Sequence, residues 1–488
     1  MFTTRFGQSL GLLTDLYQLT MACAYWKTHA GHNEAVFNLS FRNNPFHGGF
    51  TVFCGISHFI DVLLNLRFDE SDLEYLSTLT GADGKALFPA AFLEHLKNIQ
   101  FVCDVDSLME GTVAFAHEPL VRIRGPILQC QLLETILLNI VNFQTLIATK
   151  AARVRLAAGD KTVMEFGLRR AHGADGALSA SWACYVGGVD STSNVLAGKL
   201  FGIPVSGTHA HSWVMSFDDE LEAFKAYADA MPNNCVFLVD TYNSMAGVRK
   251  AIEAGKYLEA QGHKLLGVRL DSGDLAYLSI EARKLLDAAG FEDAKVIASN
   301  DLDEHIIESL NDQGARVDCW GVGTKLITAY DQPALGGVYK LAAIKHVGQE
   351  GWTYKIKLSE QVSKISTPGI QQVRRFFESD RFVCDMIYDE TIGQASSTII
   401  DPVDFTRRKK VSEALNHEDL LVPIFRSGKL VYERPSIKAV REYSRKQLSM
   451  LHPTITRLLN PHQYPVGIEK TLHDLKTQLI LEARTADS

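Results

Sequence analysis

With 488 residues the chain is too long for one ordinary hydrophobic core, so length alone implies roughly two to four domains, or a barrel with additions. Hydrophobic residues at 46% and charged residues at 22% are the proportions of a globular protein in water. A net charge of −8 argues against a nucleic-acid binder, whose affinity would rest on a basic face.

The opening stretch MFTTRFGQSLGLLTDLYQ lacks the basic start and apolar run of a signal peptide, so a cytoplasmic protein is expected. Residues 1–125 mix helical and strand patterns, with aromatics gathered in FNLSFRNNPFHGGFTVFCG, and are read as an N-terminal α+β domain. In this part Tyr17 lies on an amphipathic pattern with Leu16, Leu19 and Thr20, which by pattern alone makes it a core residue. Next comes LLETILLNIVNFQTLIATKAARV, the most apolar helical stretch. Leu133, Ile136, Leu137, Ile140 and Val141 share one helical face, and Glu134, Asn139, Asn142 and Gln144 interrupt the rest. That predicts a packed helix, not a membrane span.

Within residues 126–345 short apolar runs ending in Gly, Asp or Asn alternate with helical patterns. The runs are TVMEFG (162–167), ACYVGGV (183–189), IPVSGT (203–208), VFLVDT (236–241), LLGVRLD (265–271), KVIASND (295–301) and CWGVGT (319–324). The intervening SMAGVRKAIEAGKYLEAQG and DLAYLSIEARKLLDAAGF are helical in period and closed by Gly. Parallel βα units at roughly 20–30-residue spacing predict an irregular (β/α) barrel. An open doubly wound sheet is the alternative, weakened because no Gly-x-Gly-x-x-Gly opens the series. After the last barrel strand, GGVYKLAAIK and WTYKIKLS can pair as a hairpin. Residues 346–488 are more charged and less periodic and are read as a smaller C-terminal domain; TRRKK at 406–410 is read as solvated surface.

The eight cysteines (23, 54, 103, 130, 184, 235, 319, 384) are scattered without a Cys-x-x-Cys pair. This excludes zinc-ribbon spacing and does not suit a disulfide framework; most lie in apolar runs, as small hydrophobes.

In a βα barrel the chemistry collects where strands end, because the loops there converge on one mouth. Those positions hold Phe166, Arg169 and Arg170; Ser191, Thr192 and Ser193; Thr208, His209 and His211; Asp240 and Thr241; Arg269, Asp271, Ser272 and Asp274; Ser299, Asn300 and Asp301; Gly323, Thr324 and Lys325. Arginines, hydroxyls and Gly-rich turns with few carboxylates suit an anionic, phosphate-bearing substrate. GVGTKL offers backbone N–H groups ahead of a helix, with an ordinary tight turn as the other reading. The pair His209 and His211 admits three readings: metal ligands, a nucleophile or proton carrier, or satisfied polar residues at a helix start. Metal ligation is the weakest, since later strand ends supply no His and only His172 could join. Magnesium carried by substrate phosphates needs no dedicated cage and suits Asp271 or Asp274 better.

With these residues in view, the chain resembles the nicotinate phosphoribosyltransferase family over nearly its whole length. The resemblance rests on LLTDLYQLTMA (12–22), FRNNPFHGGFTVFCG (41–55), EPLVRIRGP (118–126), EFGLRRAHG (165–173), GGVDSTSNVLAGKLFGIPVSGTHAHSW (187–213), VDTYNS (239–244), GVRLDSGDL (267–275), GVGT (321–324) and LGGVYKL (335–341). It implies an N-terminal domain, an irregular α/β barrel and a C-terminal domain, in a homodimer with shared active sites. It implies union of nicotinate with phosphoribosyl pyrophosphate to give nicotinate mononucleotide and pyrophosphate, coupled to ATP hydrolysis through a phosphohistidine, in NAD biosynthesis, with Mg²⁺ as cofactor.

By position, the resemblance makes His211 the phosphorylated residue, and a neutral imidazole is a competent nucleophile toward a γ-phosphoryl group. His209 becomes a bystander. Thr208 would line the nicotinate pocket, with Phe166 on one face of the pyridine and Tyr17 of the partner subunit on the other. Arg169 and Arg269 would neutralise the ring carboxylate or substrate phosphates. Asp271, Ser272 and Gly273 would hold the ribose hydroxyls, and Gly323, Thr324 and Lys340 the 5′-phosphate. No dedicated metal ligand is assigned, and no nucleic-acid or membrane partner is implied. Displacement at the anomeric carbon needs no strong general base, because the pyridine nitrogen has a free lone pair, and the strand ends offer no obvious catalytic dyad. The nearest rival is a nicotinamide-using relative, which carries an Asp where this chain has Ser193; a metal-dependent barrel hydrolase and an inactive homologue are the others.

Overall fold

The computed structural model describes residues 9–486, so the first eight residues of the expected leaderless N-terminus lie outside the described residues. By its contacts the chain divides into two units, Ile147–Pro333 and Met1–Leu146 with Ala334–Ser488. The first and last segments thus share a unit, where the three-domain reading counts them separately.

Unit 147–333 is built on six parallel strands, in the order Ser191–Thr192, Thr162–Glu165, Cys319–Val322, Lys295–Ser299, Gly267–Leu270, Val236–Leu238. Helices such as Ser244–Ala260 and Leu275–Ala288 connect them. Val163, Phe237, Val268, Val296, Trp320 and Val322 are fully buried, as strands covered on both faces require. The expected α/β class of repeated βα units is therefore present.

Two expected strands differ. ACYVGGV is the end of a helix, Gly173–Val186, whose Ala177, Ala180, Ala183 and Cys184 are buried. An apolar run buried all round carries no period that tells helix from strand; here small side chains let the helix pack closely. IPVSGT forms only a single bridge, Val205 to Thr192.

In the other unit, a seven-stranded sheet runs Thr353–Tyr354, Gly337–Lys345, Glu34–Phe41, Val121–Pro126, Asp104–Ser107, Val422–Arg426, Lys429–Leu430. The expected hairpin is its first pair, with Ala343 opposite Tyr354. A six-stranded sheet carries Val466–Glu469 and Arg381–Asp389 at its centre, with Gln371–Glu378 beside the latter, and Arg408–Lys410 at one edge. The basic run is therefore an edge strand, where charge discourages pairing with another chain. Helix Glu134–Ala158 begins in this unit, and Leu133, Ile136, Leu137, Ile140 and Val141 are all buried, as expected. Among the described residues no helix is long and apolar enough to cross a membrane. All eight cysteines are free.

The core beside the six-stranded sheet holds charge. Arg375 and Asp385 pair bidentately, Nε to Oδ1 at 3.0 Å and Nη2 to Oδ2 at 2.5 Å, with both side chains fully buried. The Tyr464 hydroxyl donates to Asp385 at 2.8 Å, and its ring stacks on Phe115. Burial, reinforced by the negative charge of Asp385, raises the Glu118 pKa well above its ordinary value. The native state therefore keeps a proton that the unfolded carboxyl releases above pH ~4.3. This group's stabilisation is complete below that pH and is lost as pH rises toward the folded value, at up to about 1.4 kcal/mol per unit. Glu118→Gln, with an amide in place of the acid, should gain on the parent between pH 5 and pH 8 in thermal unfolding. An equal difference at both pH values would mean that Glu118 does not titrate in this range.

Candidate functional site

The site of unit 147–333 starts from a buried carboxylate. Glu165 ends strand Thr162–Glu165 and accepts hydrogen bonds from the Gly167 N–H, the Thr192 hydroxyl at 2.5 Å and the Ser181 hydroxyl at 3.3 Å. Burial raises its pKa, and these three bonds oppose the rise. Glu165 thus ties the turn that carries Phe166 and Arg169 to the neighbouring strand end. Phe166 lies against Gly321, where an added Cβ would sit 2.7 Å from Phe166 Cε2, so a side chain at 321 would displace the ring.

Arg269 is held at three points. Its Nε donates to Ser299 Oγ at 2.9 Å, Nη1 to Thr208 Oγ1 at 3.1 Å and Nη2 to Asp271 Oδ1 at 3.0 Å. Its guanidinium carbon lies 5.3 Å from the centre of the Phe166 ring, a cation–π distance. Arg169 is exposed, with no hydrogen bond or ion pair among the described residues.

Around these groups lie two cavities. One, of about 300 Å³, is lined by Phe166, Arg169, Ser193, Thr208, His209, His211, Arg269 and Asp271, with Leu168, Gly207, Ala210 and Leu238. The other, of about 210 Å³, is lined by Phe166, Arg169, Arg170, Arg269, Asp271, Ser299, Asn300, Asp301, Gly321, Gly323 and Thr324. The two share Phe166, Arg169, Arg269 and Asp271. Asn300 and Asp301 have positive φ, 94° and 44°, conformations that non-glycine residues rarely adopt outside constrained loops.

His211 opens the helix His211–Met215. Its Nδ1 lies 3.1 Å from Thr241 Oγ1, and its Nε2 lies 4.0 Å from Asp240 Oδ1 and 3.9 Å from Asp271 Oδ2. Asp240 Oδ1 is buried with no hydrogen-bond partner among the described residues, while Oδ2 accepts from the Asp271 N–H at 3.1 Å and the Ser272 hydroxyl at 2.5 Å. Ser272 therefore braces Asp240, and Gly273 follows with φ 79°, a value suited to glycine. Asp274 caps helix Leu275–Ala288 through the Tyr277 N–H, which leaves Asp271 as the carboxylate of this segment that faces the cavities. Among the described residues no three His, Cys, Asp or Glu side chains gather as a metal-ligating group.

Two expected site residues belong to the other unit. Tyr17, on helix Leu16–Lys27, is half exposed, and so are Leu13, Leu16 and Met21. The core assignment from pattern fails because the helix buries Gln18, Leu19, Ala22 and Cys23 instead. Lys340 lies opposite Asn38 in the sheet and lines a cavity with Arg42, His117 and Lys364; no carboxylate contributes to its lining. Lys476 is buried and donates at 3.3 Å to the Oγ1 of Thr367, which also lines that cavity, and burial brings its pKa down to about 8. Burial, with the Lys476 charge next, brings His117 down to about 4.

Glu165 was missed by sequence reasoning. Its signal is a lone carboxylate ending an apolar strand, a position that also fits a solvated loop. Asp240, Thr241 and Ser299 stood among the strand ends, but nothing in the sequence told that they face His211 and Arg269.

Residues 12–142 match the nicotinate phosphoribosyltransferase N-terminal domain, residues 162–380 the nicotinate phosphoribosyltransferase family, and residues 370–476 its C-terminal domain. The chain is 45% identical over 483 residues to the nicotinate phosphoribosyltransferase of Bacillus subtilis (strain 168), covering 98% of this chain and 96% of that protein. It is 37% identical over 533 residues to the Caenorhabditis elegans enzyme of the same name, covering 96% and 93%. Among solved structures, human nicotinic acid phosphoribosyltransferase superposes with a TM-score of 0.83 at 33% identity, covering 96% of this chain and 99% of that one.

Proposed function

The chain belongs to the nicotinate phosphoribosyltransferase family, and from that premise we propose that it joins nicotinate to phosphoribosyl pyrophosphate, releasing nicotinate mononucleotide and pyrophosphate in NAD biosynthesis. One observation carries the reading: a single cavity combines the Phe166 ring, two arginines against one carboxylate, and His211 between Asp240 and Asp271. Phe166 is the stacking floor for the pyridine, Thr208 and Arg269 its edge contacts, and Ser193 the uncharged neighbour that an anionic substituent tolerates. Arg169, Gly323 and Thr324 face the phosphate-bearing half, and Asp271, with Ser272 and Gly273, the ribose hydroxyls. Lys340 is a phosphate ligand in this reading because the cavity around it is cationic and lacks a carboxylate.

In the transfer step the pyridine nitrogen lone pair forms the bond to the anomeric carbon, and the pyrophosphate oxygen leaves with the electrons of the broken bond. The chain's own residues hold the two reactants in line and stabilise the leaving charge. Asp271 is the residue that would hold a magnesium ion bound with the phosphates, since one of its oxygens accepts no hydrogen bond among the described residues, and such an ion would further neutralise the leaving group. ATP is the co-substrate, with His211 accepting its γ-phosphoryl group.

The proposal includes three family modules, a cytoplasmic location and a homodimer in which Tyr17 of the partner subunit covers the pyridine. The exposed apolar row Leu13, Leu16, Tyr17 and Met21 supports the dimer. Mixing a Tyr17→Ala chain with a Phe166→Ala chain should restore activity after subunit exchange, since one of the two sites then has both rings. No recovery despite proven exchange would mean that each site is built within one chain. The activity itself is tested by incubating the protein with phosphoribosyl pyrophosphate, Mg²⁺ and either nicotinate or nicotinamide, with and without ATP, and identifying the mononucleotide. A product formed only from nicotinamide would overturn the reading.

A further inference from the structure

We infer that His209 is a positioning residue, whose ring closes the open side of the parallel sheet and thereby fixes His211 beside Asp240. The sheet has two free edges. On one, strand Ser191–Thr192 gains a bridge from the following segment: the Thr192 N–H donates to Pro204 O and the Ser206 N–H to Thr192 O, each at 3.0 Å. On the other, strand Val236–Leu238 uses its alternate peptide groups on its neighbour. Cys235 O accepts from the Leu266 N–H, and the Val239 N–H donates to Arg269 O. By strand alternation the Leu238 N–H points outward, yet Leu238 is buried. A buried backbone donor needs an acceptor, and here it is an imidazole: the Leu238 N–H donates to His209 Nε2 at 3.2 Å.

This bond also determines the tautomer. With Nε2 accepting, the proton is on Nδ1, which lies 3.4 Å from Ala210 O. The ring is buried beside Tyr227, Phe224 and Phe237, with centroid distances of 5.0, 6.1 and 6.2 Å. Burial brings its pKa down to about 4, so near neutral pH the ring remains an acceptor.

The consequence reaches His211 through two residues of chain. Ala210 is the N-cap of helix His211–Met215, and Ala210 O also accepts from the Trp213 N–H at 3.0 Å. Both histidines then grip one strand end, His209 at the Leu238 N–H and His211 at the Thr241 hydroxyl. Without the first grip the second is the remaining hydrogen bond from these rings to that strand, and His211 can drift from Asp240 and Asp271. The inference deepens the proposed role of His211 and rests on it for the kinetic readout alone.

The test compares His209→Phe, which keeps the packing without an acceptor, with His209→Gln, whose side-chain oxygen can accept from Leu238. Two readouts are taken on the full chain: hydrogen exchange of peptides spanning 236–241, and the rate of acid-labile labelling from γ-labelled ATP. His209→Phe should exchange at Leu238 and label at rates changed by about tenfold, faster and slower respectively, the ratio that loss of one buried hydrogen bond gives. The labelling loss should fall on the maximal rate and not on the KM for ATP, with ATP-independent transfer kept, and His209→Gln should recover both readouts. Should His209→Phe fail to fold, His209→Asn, whose oxygen is too short to reach, replaces it. Parent-like exchange and labelling in the Phe or Asn protein would overturn the inference. Absence of labelling in the parent would overturn the phosphohistidine and leave exchange to decide the role of His209.

Discussion

His211→Ala protein should incorporate no phosphoryl group from γ-labelled ATP, while the parent forms a linkage that acid cleaves and base spares. The geometry gives the reason. His211 Nδ1 is engaged by the Thr241 hydroxyl, so Nε2 is the nitrogen turned toward Asp240 and Asp271. A neutral imidazole that attacks phosphorus becomes cationic as the N–P bond forms and the bond to the ADP oxygen breaks. Two carboxylates near 4 Å stabilise that charge as it forms. One of them, Asp240 Oδ1, is buried and has no hydrogen-bond partner among the described residues, so its field acts on the ring with little screening. Transfer from phosphoribosyl pyrophosphate does not use this nitrogen, so the variant should retain ATP-independent synthesis of the mononucleotide. Its stimulation by ATP should vanish. Undiminished labelling in His211→Ala, or labelling that instead disappears in His209→Gln, would move the nucleophile elsewhere.

The two histidines mark how far the sequence could be read. One residue apart at a strand end, they are equivalent in composition and nearly so in position. What separates them is the unpaired N–H of Leu238, a partner 29 residues away that becomes visible only when the sheet order is known. The same limit explains ACYVGGV, whose burial on all sides erased the period that would have revealed a helix. It also explains Tyr17, since the pattern around it gives an apolar face without telling which face the chain itself covers. Local signals fared better. The Gly-closed helices after 243 and 274, the hairpin at 337–354 and the apolar face from Leu133 to Val141 each follow from neighbours within a few turns. At the site, Arg269, Asp271 and Thr208 were legible as strand-end residues, but their mutual bonds were not. Gly321 reads as one more glycine until the Phe166 ring is laid against it.

Arg269→Ala should narrow the preference for nicotinate over nicotinamide more than any other single substitution at the site. The two rings have nearly the same shape, so a pocket that separates them must read charge. Near neutral pH the lining of the larger cavity holds two arginines and one aspartate, with His209 neutral, an excess that favours an anion. The arginines are not equivalent. Arg269 is fixed by Ser299, Thr208 and Asp271 beside the Phe166 ring, so its remaining N–H groups meet a stacked pyridine without further ordering. Arg169 is exposed and makes no hydrogen bond among the described residues, which suits a mobile phosphate common to both reactions. A charge-assisted hydrogen bond to the ring carboxylate contributes about 1.5–3 kcal/mol, or roughly 10- to 150-fold. Nicotinate should lose that factor in kcat/KM beyond whatever loss the freed Asp271 and Phe166 cause for both rings. Arg169→Ala should slow both rings alike and leave their ratio unchanged. Ser193→Asp approaches the same selectivity from the other side: a carboxylate in the cavity wall repels nicotinate and accepts from the amide NH₂, moving preference toward nicotinamide. The kcat/KM ratio across the three variants decides the assignment. A ratio that shifts in Arg169→Ala and stays fixed in Arg269→Ala would exchange the two roles, and a ratio fixed in all three would mean that none of these side chains reads the substituent.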